Sequence, residues 1–312
     1  MEPRTENKII LVVRHTRLDE LIARFNTLEQ AKFYVEHLSG DFSDYQAEDQ
    51  LYKRAVHHTE EILSRIGRVQ LLDRTFLPNF IFGAKDVVVA VGQDGLVANV
   101  LKYLNDQPLI GVNPDPQRWE GVLLPFEVKD LSKILPDVFS SNRILKEVTL
   151  AEAKLNTGES ICAVNDLFVG PRSHTSARYH LQIGDREETH SSSGIIVSTG
   201  LGSTGWLRSV MAGATGVAAA ASGNRLNFKG LRNPGWDADY LFFSVREPWP
   251  STTSGADITF GKISNDMPLV LQSQMPENGI IFSDGIEADF LQFTSGTTAT
   301  IALASRKGRL VV

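Results

Sequence analysis

The chain has 312 residues, 42% of them hydrophobic and 22% charged, which is long enough for two domains with a sizeable core. Its 37 acidic residues outnumber 31 basic ones for a formal charge of −6, which argues against a general nucleic-acid binder, whose phosphate contacts need a basic surface. The single cysteine, Cys162, excludes an intrachain disulfide and a cysteine-based zinc site, and in Ser160-Ile161-Cys162-Ala163-Val164 it reads as a small buried hydrophobe.

Met1 to Asn7 are polar, and the apolar run after them covers only Ile9 to Val13, too short for a signal-peptide core or a membrane span. The chain therefore reads as cytoplasmic, and the run as a strand covered on both faces. Thr27 with Gln30 suggests a capping box, opening a helix that stops at Ser39-Gly40. A second helix runs through Leu51, Ala55, Ile62, Leu63 and Ile66 to Gly67. Val69–Leu72, Asp86–Val91 and Pro108–Val112 read as strands, with a helix from Leu96 to about Leu104 between the last two. Strands alternating with helices predict a parallel, Rossmann-like α/β domain over residues 1–130.

Beyond Phe126 the segments shorten and gain β-branched residues. Tyr179–Ile183, Ile195–Val197, Ile258–Phe260, Leu269–Leu271, Ile280–Phe282 and Thr298–Ala302 predict a mainly antiparallel β domain over residues 131–312, with one helical insertion at Gly205–Ser222.

Three stretches could carry chemistry. Gly92-Gln93-Asp94-Gly95 ends a buried strand and precedes a helix, so backbone N–H groups and a carboxylate meet at a sheet edge. It reads either as a plain turn or as a phosphate cradle whose Asp94 can act on an attacking hydroxyl. A second small-residue loop, Ser198-Thr199-Gly200-Leu201-Gly202-Ser203-Thr204-Gly205, also follows a strand, and its glycines allow close approach of a phosphate or ribose. Asn165 and Asp166 interrupt an apolar strand, as a two-residue hairpin turn or as a clamp on ribose hydroxyls and base edges. The G-x-G-x-x-G, Walker A and G-x-S-x-G patterns are absent. His57-His58 reads as solvent-exposed, and no histidine spacing specifies a metal site.

Taken together, these stretches resemble the NAD kinase family, and more particularly its mitochondrial-type branch. The family's first motif, Gly-Gly-Asp-Gly, stands as Gly92-Gln93-Asp94-Gly95, its Asn-Glu motif as Asn165-Asp166, and its Gly-rich motif as Ser192 to Trp206. Gly111-Val112-Asn113-Pro114-Asp115-Pro116 and Phe243-Ser244-Val245-Arg246-Glu247-Pro248 resemble the mitochondrial type, and Phe282-Ser283-Asp284-Gly285 the family's late Asp-Gly turn. The resemblance implies an α/β domain, a β domain and NAD bound in the cleft between them. It also implies phosphoryl transfer from ATP, with Mg²⁺, to the adenosine ribose 2′-hydroxyl of NAD, in a homodimer or homotetramer. Asp94 would be the general base, and Gly92, Gln93, Gly95, Thr199, Gly202, Ser203 and Thr204 would line the phosphates and nucleotide. Asn165, Asp166 and Ser209 would hold NAD. No resident metal ligand set, nucleic acid or membrane partner is expected.

Four positions depart from the family pattern: Gln93 for the second glycine, Leu96 for the usual threonine, Asp166 for glutamate, and Ser193 where many members have an acidic residue, although the mitochondrial-type pattern is also Ser-Ser-Gly. Two other readings stay open: a related kinase for another nucleoside-like or lipid-like hydroxyl, and an NAD(P)-binding chain without turnover.

Overall fold

Strand β1 (Lys8–Val13) has Ile9 to Val12 fully buried, as a strand covered on both faces must. The computed structural model describes residues 8–223 and 234–312. It divides into two units: residues 1–146 with 309–312, and residues 147–308.

In the first unit, helices α1 (Arg17–Phe25), α2 (Leu28–His37) and α3 (Phe42–Ser64) follow β1. The reciprocal capping box sits at Thr16, not at Thr27: Thr16 Oγ1 accepts from Asp19 N–H at 3.1 Å, and Asp19 Oδ2 accepts from Thr16 N–H at 2.9 Å. Thr27 caps α2 one-sidedly, accepting from Gln30 N–H at 3.2 Å. Next come β2 (Arg68–Asp73), β3 (Val87–Val91), α4 (Asp94–Leu101), β4 (Pro108–Asn113), β5 (Phe126–Glu127) and α5 (Leu131–Phe139). The strands pair in parallel in the order β4-β3-β1-β2, and the chain's late residues Arg309 and Leu310 pair with Pro108 and Leu109 on the outer edge of β4. Ile9, Leu11, Val87, Val89, Val91, Ile110 and Val112 form one core with Tyr52 and Leu63 of α3 and Leu131, Ile134 and Leu135 of α5. Each such side chain contributes roughly 1.5–3 kcal/mol by leaving water.

From β1 the chain steps outward to β2, whereas from β3 it steps the other way to β4. The order therefore reverses between β1 and β3, the point where open α/β sheets form a ligand crevice at the strands' carboxyl ends. Tyr52 stitches that point together. Its hydroxyl accepts from Arg14 N–H at 2.9 Å, just past β1, and donates to Val91 O at 3.0 Å, the last residue of β3. Burial pushes its pKa up to about 12, so the phenol keeps the proton it donates.

The second unit contains β6 (Leu145–Leu155) from Glu147 onward, β7 (Ser160–Ala163), β8 (Asp166–Pro171), β9 (Ala177–Ile183), β10 (Arg186–Ser192) and β11 (Ile195–Ser198). Helix α6 (Trp206–Ser222) follows, then β12 (Leu241–Val245), β13 (Phe260–Ile263), β14 (Leu269–Ser273), β15 (Gly279–Ser283), β16 (Ile286–Gln292) and β17 (Thr298–Val311). One sheet runs β10-β9-β14-β17, with β6 on β17 and β7 on β6; the other is the six-stranded antiparallel order β13-β12-β11-β8-β15-β16. Tyr179, Leu181, Leu271 and Ile301 of the first pack with Val169, Val197, Phe243 and Ile281 of the second in one buried core. Ile258 and Thr259 lie outside β13, contrary to expectation. The N–H groups of Asp257 and Ile258 go instead to the Glu188 carboxylate, at 3.1 and 2.9 Å. Cys162 is half-buried rather than fully buried, with Arg306 Nη2 3.6 Å from its sulfur. No described helix is long and apolar enough to cross a membrane.

Candidate active site

In the first unit, Gly92 to Gly95 leave the carboxyl end of β3, beside β1, at the strand-order reversal. Asp94 is the first residue of α4, where the unpaired N–H groups and the helix dipole favour a negative charge. Its Oδ1 accepts from the backbone N–H of Leu123 at 2.7 Å, which fixes the plane of the carboxyl group. Gln93 is the N-cap with extended φ and ψ of −115° and 165°, so no left-handed conformation demands glycine there, and its side chain makes no cap bond. At the first glycine, a Cβ on Gly92 would lie 2.8 Å from Leu96 Cδ2, so Leu96 occupies the space the missing side chain leaves. Gly95 faces open space.

The loop that carries Leu123 is tied down at its other end. Asn113 Nδ2 donates to Trp119 O at 2.9 Å, and Arg118 donates two bonds to Asp44, Nη2 to Oδ1 at 2.5 Å and Nη1 to Oδ2 at 3.2 Å. Arg17 Nη2 reaches the same carboxylate at 2.8 Å, and the two arginines hold the Asp44 pKa down to about 2. The sequence carried no marker for this latch, because its partners lie far apart in the chain and share no motif.

In the second unit, β7 pairs with β6, and β8 with β11 and β15, so the Val164–Asp166 corner is a crossing from one sheet to the other and not a hairpin. The 198–205 loop packs directly on it. Thr199 Oγ1 donates to Val164 O at 2.6 Å, Thr199 N–H to Asn165 O at 2.9 Å, and a Cβ on Gly202 would stand 2.2 Å from Asn165 O. Gly202 thus permits a contact that alanine would block. The hydroxyls of Ser203 and Thr204 donate to Gly200 O and Leu201 O at 2.7 and 3.3 Å, so those donors serve the loop itself.

Asn165, Asp166, Gly202 and Thr204 line one cavity of about 320 Å³ with Trp206 and Asp284. Oδ1 of Asp166 is buried there without a hydrogen-bond partner. Burial pushes this carboxyl up to about 7; a hydrogen bond with Ser198 works against the rise, and the Asp284 charge adds to it. Ser209 lies elsewhere, on a larger apolar cavity of about 970 Å³ between α6 and the 244–248 and 259–260 segments. Trp206 borders both cavities, stacked on Phe168 at 5.8 Å between ring centres, with the Arg246 guanidinium 5.4 Å from its ring centre. Among the described residues, no group of three or more His, Cys, Asp or Glu side chains could hold a metal ion.

A parallel α/β unit with a carboxylate at its strand-order reversal, joined to a β unit with a polar small-residue cavity, defines a class: the two-domain fold of the NAD kinases. Two solved structures share it. An NAD kinase from Archaeoglobus fulgidus in complex with ATP aligns with a TM-score of 0.53 at 16% identity, over 98% of this chain and 93% of that one. Yeast NADH kinase complexed with NADH aligns with a TM-score of 0.56 at 14% identity, over 99% and 84%. Among curated proteins, NAD kinase of Chlorobaculum tepidum is 26% identical over 124 residues, which is 39% of this chain, and the chain spans 43% of that relative's length. No family model matches. The chain thus shares the NAD kinase fold and carries a partial sequence likeness to one NAD kinase.

Proposed function

We propose that this chain is an NAD kinase, transferring the γ-phosphoryl group of ATP to the 2′-hydroxyl of the adenosine ribose of NAD. The observation that carries the reading is Asp94, a carboxylate on the first turn of α4 at the sheet's switch point, with one oxygen held by Leu123 N–H. Its second oxygen, Oδ2, accepts the 2′-hydroxyl proton as the ribose oxygen bonds to phosphorus and the bond from phosphorus to the ADP oxygen breaks. Gly92, Gln93 and Gly95 shape the turn beside the phosphates. Asn165 and Asp166 hold the adenosine, with Thr199, Gly202, Ser203 and Thr204 building the wall behind them, while Ser209 serves NAD from α6. Mg²⁺ would arrive on the triphosphate, since such an ion is usually held by substrate phosphates, one or two carboxylates and water. In chemical terms the protein supplies position and charge, as phosphoryl transfer requires.

A specific feature favours a second reading. The apolar cavity of about 970 Å³ beside Trp206 suits an acceptor with a bulkier apolar part than NAD. The test offers ATP and Mg²⁺ with NAD, NADH, free nucleosides and lipid-like alcohols, following product formation by mass. NADP formation from NAD is the expected result; phosphorylation of another acceptor with none of NAD would overturn it.

A further inference from the structure

Asp284 stands in the tight turn after β15, at φ 53°, followed by Gly285 at φ 73°. Its carboxylate faces three successive backbone N–H groups of the corner. Oδ2 accepts from Val164 at 3.1 Å, and Oδ1 accepts from Asn165 at 2.7 Å and from Asp166 at 3.3 Å. In return, Asp284 N–H donates to Asp166 O at 2.9 Å. Successive N–H groups converging on one anion form a concave cradle, here filled by the protein's own side chain. Val164 and Asn165 lie between β7 and β8, outside the pairing of either strand, while Asp166 opens β8 opposite Ser198 of β11.

We propose that Asp284 is the positioning residue of the nucleoside cavity: by clamping the 164–166 backbone, it aims Asn165 and Asp166 and sets how tightly the nucleoside is held. This rests on the function proposed above. The same carboxylate gives a readout that a merely structural turn would not. The elements around Asp166 contribute Ser198 from β11, Thr204 from the Gly-rich loop, Trp206 from α6 and Asp284 from the β15–β16 turn. Asp284 is the charged group among them, and its charge helps the buried Asp166 keep its proton. Ribose hydroxyls donate best to an ionised carboxylate, so nucleoside binding tightens as Asp166 loses that proton.

The test compares the parent chain with Asp284→Asn and Asp284→Glu. Asparagine tolerates the left-handed turn but replaces an acceptor oxygen with N–H donors that oppose the corner's own. NAD affinity, by calorimetry, should fall at least tenfold in Asp284→Asn. The Asp166 titration, followed by carboxyl ¹³C NMR without ligand, should move to lower pH in Asp284→Asn and stay near the parent's in Asp284→Glu, which keeps the charge. Unchanged affinity and titration in folded Asp284→Asn would overturn the proposal. Should the asparagine variant not fold, amide exchange of Val164, Asn165 and Asp166 in the parent decides: slow exchange supports the clamp, and exchange at the rate of open loops refutes it. If the parent itself does not bind NAD, the function proposed above falls, while the titration and amide exchange still decide whether Asp284 clamps the corner.

Discussion

The two units each place an aspartate at a strand end, and they treat it in opposite ways. Asp94 sits on the first turn of a helix, with a backbone N–H donated to one of its oxygens. Asp166 sits in a corner with one oxygen buried and unpartnered, a setting that favours the acid. In the function proposed above, Asp94 is the group that takes a proton from a hydroxyl. A group that must hold a ligand can accept the setting of Asp166, because the ligand's own hydroxyls complete its hydrogen bonds. Residue type alone does not assign the role; the environment does.

The largest break in this comparison should come from Asp94→Asn, which removes the proposed base but keeps the shape. Turnover should drop by about 10²–10⁴ in an assay of NADP formation, with NAD affinity by calorimetry close to the parent's.

Asp166→Asn should show the cost of the second environment in stability. The Asp166 pKa is raised in the fold, from an ordinary 3.8 to about 7, so its favourable contribution is complete below about pH 4 and is lost as pH rises through 7. Urea unfolding should therefore find the variant gaining on the parent between about pH 4 and pH 7 and levelling off above that, with a ceiling of about 4 kcal/mol. A gap that stays constant with pH would mean Asp166 is ionised in the fold throughout.

Gly202→Ala forces a Cβ against Asn165 O, and a strain of about 1–3 kcal/mol should appear as a lower melting temperature together with weaker NAD binding. The smallest effect is expected at Gln93→Gly. The backbone there is already extended and the side chain makes no cap bond, so turnover should change less than about threefold, apart from roughly 0.5–1 kcal/mol of glycine entropy in stability.

Much of this was legible in the sequence because it is carried by local pattern. Continuous apolar runs gave β1 and β3, and the Gly205–Ser222 insertion is α6 from Trp206 on. Helix α1 was missed although Thr16-x-x-Asp19 opens a run with apolar Leu18, Leu21, Ile22 and Phe25 at helical spacing, a signal as clear as the one placed at Thr27. Strand β10 could not be seen, since Arg186-Glu187-Glu188-Thr189-His190-Ser191-Ser192 has no apolar alternation and owes its conformation to pairing with β9. At the site, Asp94, Asn165 and Asp166 were readable as residue types. Their partners, Leu123 N–H and the Asp284 carboxylate, arrive from 29 and 118–119 residues away and leave no trace in local spacing.

The division of labour between the two aspartates is most directly tested by measuring kcat for NADP formation and the NAD dissociation constant in Asp94→Asn and Asp166→Ala side by side. The account predicts that Asp94→Asn loses turnover while keeping affinity, and that Asp166→Ala loses affinity by tenfold or more with a much smaller fall in turnover at saturating NAD. Loss of the same quantity in both variants would contradict it.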